Sequence, residues 1–201
     1  MGTAVAANRS QDLALAQRAS EGDRGAQREL FHNLKRAVHH TLFRILGSNR
    51  DLEDLIQDAF LEIFRALPSF RGDSSLGRWA QTIATRTAYL SIERRKPAAV
   101  DLDLVEDEIV DRDPDAMRVA HAKQAARRLY AALDRIDAKQ RIAFALAVMD
   151  GLSLGEVAEM TESSLVAVKT RVWRARRELL RRAKKDPVLA SYLVDLGGGV
   201  A

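Results

Sequence analysis

Ser153-Leu-Gly-Glu-Val-Ala-Glu-Met160, then Thr161-Glu-Ser163, then Ser164-Leu-Val-Ala-Val-Lys-Thr-Arg-Val-Trp-Arg-Ala-Arg-Arg177 is the stretch that decides the fold. Ser153 followed three residues later by Glu156 is a capping-box pattern, which starts a short helix by satisfying orphan backbone N–H groups at its first turn. The three residues after Met160 read as a tight turn. Ser164 opens a long second helix that runs to about Lys184. Two helices joined by so short a turn have the spacing of a helix-turn-helix, whose second helix enters the DNA major groove. On that helix Leu165, Val168, Val172, Ala175 and Leu179 recur at helical steps on one side and are expected to pack. Thr170, Arg171, Arg174, Arg177 and Arg181 occupy the opposite side, with Lys169 and Arg176 on the flanks. Arginine pairs bidentately with guanine edges, and both basic residues neutralise phosphates. A solvated basic face is the plain alternative; the cap, the turn and the apolar spacing together favour DNA.

Outward from this motif the helical period continues. Upstream, Ala125–Leu133 and Ala138–Met149 read as helices around Arg135-Ile136-Asp137. In the first half Asp12–Ala19 and Ala26–Leu46 are split by Glu21-Gly22-Asp23. Asp51–Leu67 carries the clearest apolar stripe: Leu52, Leu55, Ile56, Ala59, Phe60, Ile63, Phe64 and Leu67. Asp51 is placed to cap it and Asp54 to meet the positive end of its dipole. Pro68 stops it, a polar loop runs from Ser69 to Ser75, and Leu76 to about Arg94 is helix again, with Leu76, Trp79, Ala80, Ile83, Thr87 and Leu90 facing one way.

Between the halves the chain changes character. Residues 98–117 carry Asp101, Asp103, Glu106, Asp107, Glu108, Asp111, Asp113 and Asp115 against Arg112 alone, bracketed by Pro97 and Pro114. This reads as an acidic linker. It divides the chain into a domain at 1–97, a second at 118–186 and a tail at 187–201. In the tail Leu189, Tyr192, Leu193 and Leu196 suggest a short amphipathic helix before Gly197-Gly-Gly199. The expected fold class is all-α, two helical domains joined by an acidic linker.

Bulk properties narrow the function. The 201 residues carry a net charge of only +4, so the basic residues of the last long helix are an asymmetry rather than a general excess. Absence of cysteine removes thiolate chemistry and Cys-ligated metals. No stretch approaches the roughly 20 apolar residues that cross a bilayer, and the N-terminus lacks a secretory pattern, so membrane insertion is not expected and a cytoplasmic location is. Gly72-Asp-Ser-Ser-Leu76 misses the nucleophile-elbow pattern, and phosphate-loop and dinucleotide glycines are absent. His32, His39, His40 and His121 have no metal-ligand spacing. Neither an enzyme, a metal nor a cofactor is expected.

Two further surfaces remain. The helix from Leu76 shows Arg78, Thr82, Thr85, Arg86 and Tyr89 outward and ends in Arg94-Arg-Lys96; basic residues interleaved with rings suit unpaired nucleic acid, since rings stack on bases while cations hold the backbone. The polar face of Asp51–Leu67 holds Glu53, Asp54, Gln57, Asp58, Glu62 and Arg65. It is either simply solvated or meets a basic protein partner.

Asp51-Leu-Glu-Asp-Leu-Ile-Gln-Asp-Ala-Phe60, Leu67-Pro-Ser-Phe-Arg-Gly72, Trp79-Ala-Gln-Thr-Ile-Ala84 and Arg94-Arg95 resemble region 2 of sigma factors. Leu152-Ser-Leu-Gly-Glu-Val-Ala-Glu159 and Val168-Lys-Thr-Arg-Val-Trp-Arg-Ala-Arg176 resemble region 4. The two blocks, in this order either side of an acidic joint, are similar to the extracytoplasmic-function (ECF) group of the sigma-70 family, over roughly residues 10–185. The resemblance implies a factor that binds core RNA polymerase, recognises −35 and −10 promoter elements and promotes DNA melting. It places Asp54, Gln57 and Asp58 on the β′ clamp helices, with further contact to the β subunit. It places Arg71, Asp73, Ser74, Arg78, Thr82, Arg86 and Tyr89 at the −10 element, and Ser164, Lys169, Thr170, Arg171, Arg174 and Arg177 at the −35 element. It implies promoter DNA and an anti-sigma factor as partners, and a linker that threads towards the basic channels of the polymerase. The chain departs from the family pattern at four places: Arg86 stands where Asn is common, Leu90 where an acidic residue is usual, Glu162 where a turn glycine is usual, and Leu165-Val166-Ala167 where a more polar stretch opens the helix. Two rivals stay open: a helix-turn-helix regulator that binds duplex DNA without polymerase, and a sigma mimic that occupies an anti-sigma factor. Leu165 and Val166 could contact thymine methyls or simply pack.

Overall fold

The computed structural model describes residues 2–47, 51–94 and 114–197, and among these every regular element is helical. Helix α1 spans Gly2–Ser20, α2 Arg24–Leu46, α3 Leu52–Ala66, α4 Leu76–Arg94, α5 Pro114–Leu133, α6 Ala138–Phe144, α7 Leu154–Met160, α8 Leu165–Ala183 and α9 Pro187–Gly197. Side-chain caps explain four of these starts. Asp23 accepts from Gly25 N and Ala26 N, Asp137 from Gln140 N, and Ser164 from Ala167 N. Ser153 and Glu156 form the complete capping box expected of them.

Several boundaries differ from the sequence reading. Helix α1 begins at Gly2 rather than near Asp12. Helix α5 begins at Pro114, inside the stretch read as linker; proline suits the first helical position because it lacks an N–H that would be orphaned there anyway. The rest of that stretch, 98–113, lies outside the described residues, as do Arg95, Lys96 and Gly198-Gly199. The expected helix Ala138–Met149 is α-helical only to Phe144 and closes as a π-helical turn over Ala145–Met149. Leu67–Ser69 is a single 3-10 turn that carries α3 into the polar loop.

Helices α1 to α4 pack around Leu30, Val38, Leu42, Ile45, Ala59, Phe60 and Ile63. Helix α4 buries Ala80, Ala84 and Ala88, one turn apart, and packs on α2 and α3 through this narrow row. That row turns the helix away from the orientation expected, leaving Leu90 exposed. The same core runs on without a break into the second half, through Ile142, Ala143, Leu146, Val157, Met160 and Val168. A second cluster gathers Leu129, Leu133, Ile136, Phe144, Ala175, Leu179 and Leu189, and α9 packs on it through Leu189, Tyr192, Leu193 and Leu196, the residues of the tail that show the amphipathic period.

Candidate nucleic-acid and polymerase surfaces

Helices α7 and α8 meet at Thr161-Glu-Ser163, and Glu162 takes the left-handed conformation there (φ 47°). The turn thus needs the backbone geometry that glycine adopts most cheaply, although a glutamate occupies it. Ser164 is the N-cap of α8: its Oγ accepts from Ala167 N, and its O–H remains free to donate. Val168, Ala175, Leu179 and Ala183 are the buried side of α8. Leu165, expected to pack, is 53% exposed beside Val166 at 74%.

Lys169, Thr170, Arg174 and Arg177 are exposed on α8, as the basic-face reading requires. The Thr170 hydroxyl donates to Val166 O at 2.9 Å. Arg171 is only partly exposed and folds back, its Nη1 donating to Ser163 Oγ at 2.7 Å, so it braces the turn from within the chain. Trp173, which sequence reasoning passed over, is 56% exposed and lies under the Arg177 guanidinium at 5.4 Å. A large exposed ring amid arginines is the signal that could have singled it out. Arg135, Trp173, Arg174, Arg177, Arg181 and Lys184 line one basic groove between α8 and the α5–α6 turn. Farther along, Glu178 is bonded to Arg181 and also paired with Arg182; these bonds pull its carboxyl down to about 2.

In the first half Asp54, Gln57 and Asp58 are all exposed on α3. Asp51 sits at the N-cap without making a side-chain cap hydrogen bond. On the other flank of a shared cleft, Asp58 and Glu62 of α3 face Arg86, Leu90 and Arg94 of α4, and Arg86 is exposed. Arg71 and Asp73 are exposed on the loop before α4, and Ser74 is half-buried. Gly72 (φ 74°) lets this loop close on Leu13: a Cβ there would stand 2.9 Å from the Leu13 side chain. Asp12 Oδ2 accepts from Leu76 N at 2.8 Å, so a residue of α1 caps α4. Trp79 is half-buried against Phe70, ring centroids 5.2 Å apart, as expected of a core residue.

The structure brings Arg78 and Tyr89 against the second half of the chain. Arg78 Nη2 pairs with Glu156 Oε1 of the capping box, and its Nη1 lies 3.1 Å from Met160 Sδ. The Thr82 hydroxyl bonds to Arg78 O, and Lys139 Nζ lies 5.8 Å from the Tyr89 ring centroid. Ser153 and then Arg78 hold the Glu156 carboxyl below the usual carboxylate range. A second contact, unforeseen in the sequence, joins the halves at the end of α2. Arg141, 2% exposed, donates from Nε to Ile45 O at 2.8 Å and from Nη2 to Leu46 O at 3.2 Å, and pairs with Asp134. The Tyr130 hydroxyl lies 3.1 Å from both Phe43 O and Arg44 O, and burial pushes its pKa up to about 12. Asp150 pairs with His40, and Arg44 Nε lies 3.6 Å from the same carboxylate. Among the described residues no cluster of His, Cys, Asp and Glu could hold a metal ion, and no helix is long and apolar enough to cross a membrane.

An all-helical arrangement of the described residues, with a capped helix-turn-helix whose second helix is basic, is the architecture of a DNA-binding protein. The pattern described as Sigma-70 region 2 matches residues 30–97, and Sigma-70, region 4 matches residues 126–179. The chain is 29% identical over 176 residues to the ECF RNA polymerase sigma-E factor of Escherichia coli K12, covering 84% of this chain and 92% of that protein. It is also 29% identical over 173 residues to the factor of the same name from Haemophilus influenzae, covering 82% and 91%. Two solved structures share the fold. CnrH, in complex with the cytosolic domain of CnrY, superposes with a TM-score of 0.60 at 22% identity, covering 87% of this chain and 98% of that one. The sigma factor RpoE of Bartonella quintana, in complex with the anti-sigma factor NepR, gives 0.52 at 21%, covering 79% and 97%. The chain belongs to the sigma-70 family of transcription initiation factors, in its ECF group. Sigma regions 2 and 4 carry RNA polymerase binding and promoter recognition, and a factor of this kind is not an enzyme.

Proposed function

We propose that the chain binds core RNA polymerase in the cytoplasm through Asp54, Gln57 and Asp58, reads a −35 element with α8 and holds a melted −10 element on α4 and the loop before it. The observation that carries this reading is the separation of charge: an exposed acidic face on α3, and an exposed basic stripe of Lys169, Arg174 and Arg177 on a recognition helix. The acidic face suits the basic β′ clamp helices, and the β subunit takes the second half of the chain. The basic stripe suits duplex DNA, whose phosphate charge dominates affinity. The division into units at 1–97 and 118–186, with 98–117 between them, lets one unit bind closed DNA while the other traps open DNA.

At the −10 element Arg71, Asp73, Ser74, Thr82, Arg86 and Tyr89 meet unpaired bases, where edges hidden by pairing can be read and a ring can stack. Capture of those bases offsets the lost stacking, so melting needs no ATP. Arg78 joins this set once its pair with Glu156 opens, and Tyr89 takes up its role once it parts from Lys139. An anti-sigma factor is the expected regulator; the two solved structures named above each contain a bound partner, named as an anti-sigma factor in one of them.

Permanganate footprinting of a promoter library tests the whole reading. Opening at one shared −35/−10 pair, only with chain and core polymerase together, is the expected result. Tight duplex binding without polymerase and without opening would instead favour an autonomous helix-turn-helix regulator. Charge reversal at Asp54 and Asp58 to Lys is expected to weaken core binding at least ten-fold in a pull-down titration, about 1.4 kcal/mol or more, and to leave the helix content unchanged.

A further inference from the structure

Leu165 and Val166 are the first two residues of α8, directly after the Ser164 cap, and both side chains stand in solvent. Packing does not account for them, since Val168, Ala175, Leu179 and Ala183 form the buried side. The first turn of a recognition helix is the part that meets base edges in the major groove. Polar side chains around this turn are in part engaged within the chain: Ser164 Oγ accepts from Ala167 N, the Thr170 hydroxyl donates to Val166 O, and Arg171 donates to Ser163. An aliphatic side chain offers a base neither donor nor acceptor. Of the features displayed in the major groove, only the thymine C5 methyl is apolar. Over any other edge, valine would strip water from a hydrogen-bonding group and replace it with nothing. The occupant of this face is set by charge: Lys169, Arg174 and Arg177, exposed on the same helix, draw a polyanion to it.

We infer that Val166, with Leu165 beside it, reads one or two thymines of the −35 element through their C5 methyl groups. The inference rests on the −35 reading of α8 and adds the base and the atom that the first turn selects.

Holoenzyme assembled from the full chain and a bacterial core polymerase is used to select −35 sequences from a library randomised across that window. Each thymine of the selected element, on either strand, is then replaced by deoxyuridine, which removes the C5 methyl and nothing else. Loss of affinity by about three- to five-fold at one or two neighbouring positions is expected, the worth of one buried methyl. The Val166→Ala or the Leu165→Ala holoenzyme should then be indifferent to the same replacement, with a melting temperature equal to the parent's because both side chains are exposed. An element in which no deoxyuridine changes binding overturns the inference while leaving the −35 reading intact. A deoxyuridine effect of equal size in both variants also overturns it, assigning the methyl to another residue. No enriched −35 sequence at all would remove the −35 reading, and this inference with it.

Discussion

Arg141 shows how one residue can hold two halves of a chain together. Its guanidinium is almost wholly buried, where an unpaired charge would be very costly, and it is satisfied by Asp134 and by two carbonyls at the C-terminal end of α2. Those carbonyls are helix-end acceptors that need a partner, and a cation there also favours the helix dipole. Arg141→Met keeps the bulk and removes every donor; it is expected to cost about 2–4 kcal/mol in urea unfolding, as buried acceptors are left unsatisfied. Tyr130 does the same job without charge. Its folded pKa of about 12 exceeds the ordinary value of about 10. Below about pH 10 the phenol is neutral in both folded and unfolded chains, and its stabilisation is fully present; between about 10 and 12 only the unfolded chain ionises, so stability falls as pH rises. The stability difference between the parent and Tyr130→Phe is therefore expected to shrink over that interval. A difference that stays constant from pH 9 to 11.5 would remove Tyr130 from this role.

Among the elements, the helix-turn-helix is the most exacting. Its two caps are both made, and Ser153→Ala or Ser164→Ala should each cost about 1 kcal/mol of stability. The turn between them is strained at Glu162. Glu162→Gly is expected to raise stability by about 0.5–1 kcal/mol in thermal unfolding, the relief of left-handed strain exceeding the added freedom of the unfolded chain. Helix α4 has its own cap, Ser75 Oγ accepting from Arg78 N, and takes a second from Asp12. Asp12→Ala should loosen its first turn and raise amide exchange at Leu76, with smaller change elsewhere.

At the scale of the whole molecule, the first and second halves share one core and several polar clasps, and Arg78 is part of both the clasp and the proposed −10 surface. Glu156→Gln weakens that pair while keeping the shape of the capping box. It is expected to free Arg78 and to increase the distance between dyes placed on α3 and α8, measured by energy transfer at low salt; raising the salt should move the parent in the same direction, because the pair is only partly buried and is screened.

Helix type, the cap at Ser153, the apolar stripe of α3, the basic side of α8 and the amphipathic tail were all legible in the sequence by itself, because each rests on residues one or two turns apart; the cap read at Asp51 makes no side-chain cap hydrogen bond. Leu165 was misplaced because helical period alone cannot tell whether a neighbour covers a given turn, and Trp173 was overlooked because an aromatic at helical spacing reads as core. Arg171 was read outward because a flexible guanidinium has two directions available, and only the position of Ser163 chooses between them. Family membership was also within reach of the sequence, through two motifs in order. Tertiary structure alone decided the capping of α4 by Asp12, the pairing of Arg78 with Glu156 and the burial of Arg141 against α2. These partners lie 64, 78 and 96 residues apart. Such contacts leave no local period in the chain: a donor and an acceptor so far apart become partners only when packing of the intervening helices sets their distance, and that packing follows from the summed apolar burial of the whole molecule rather than from either residue.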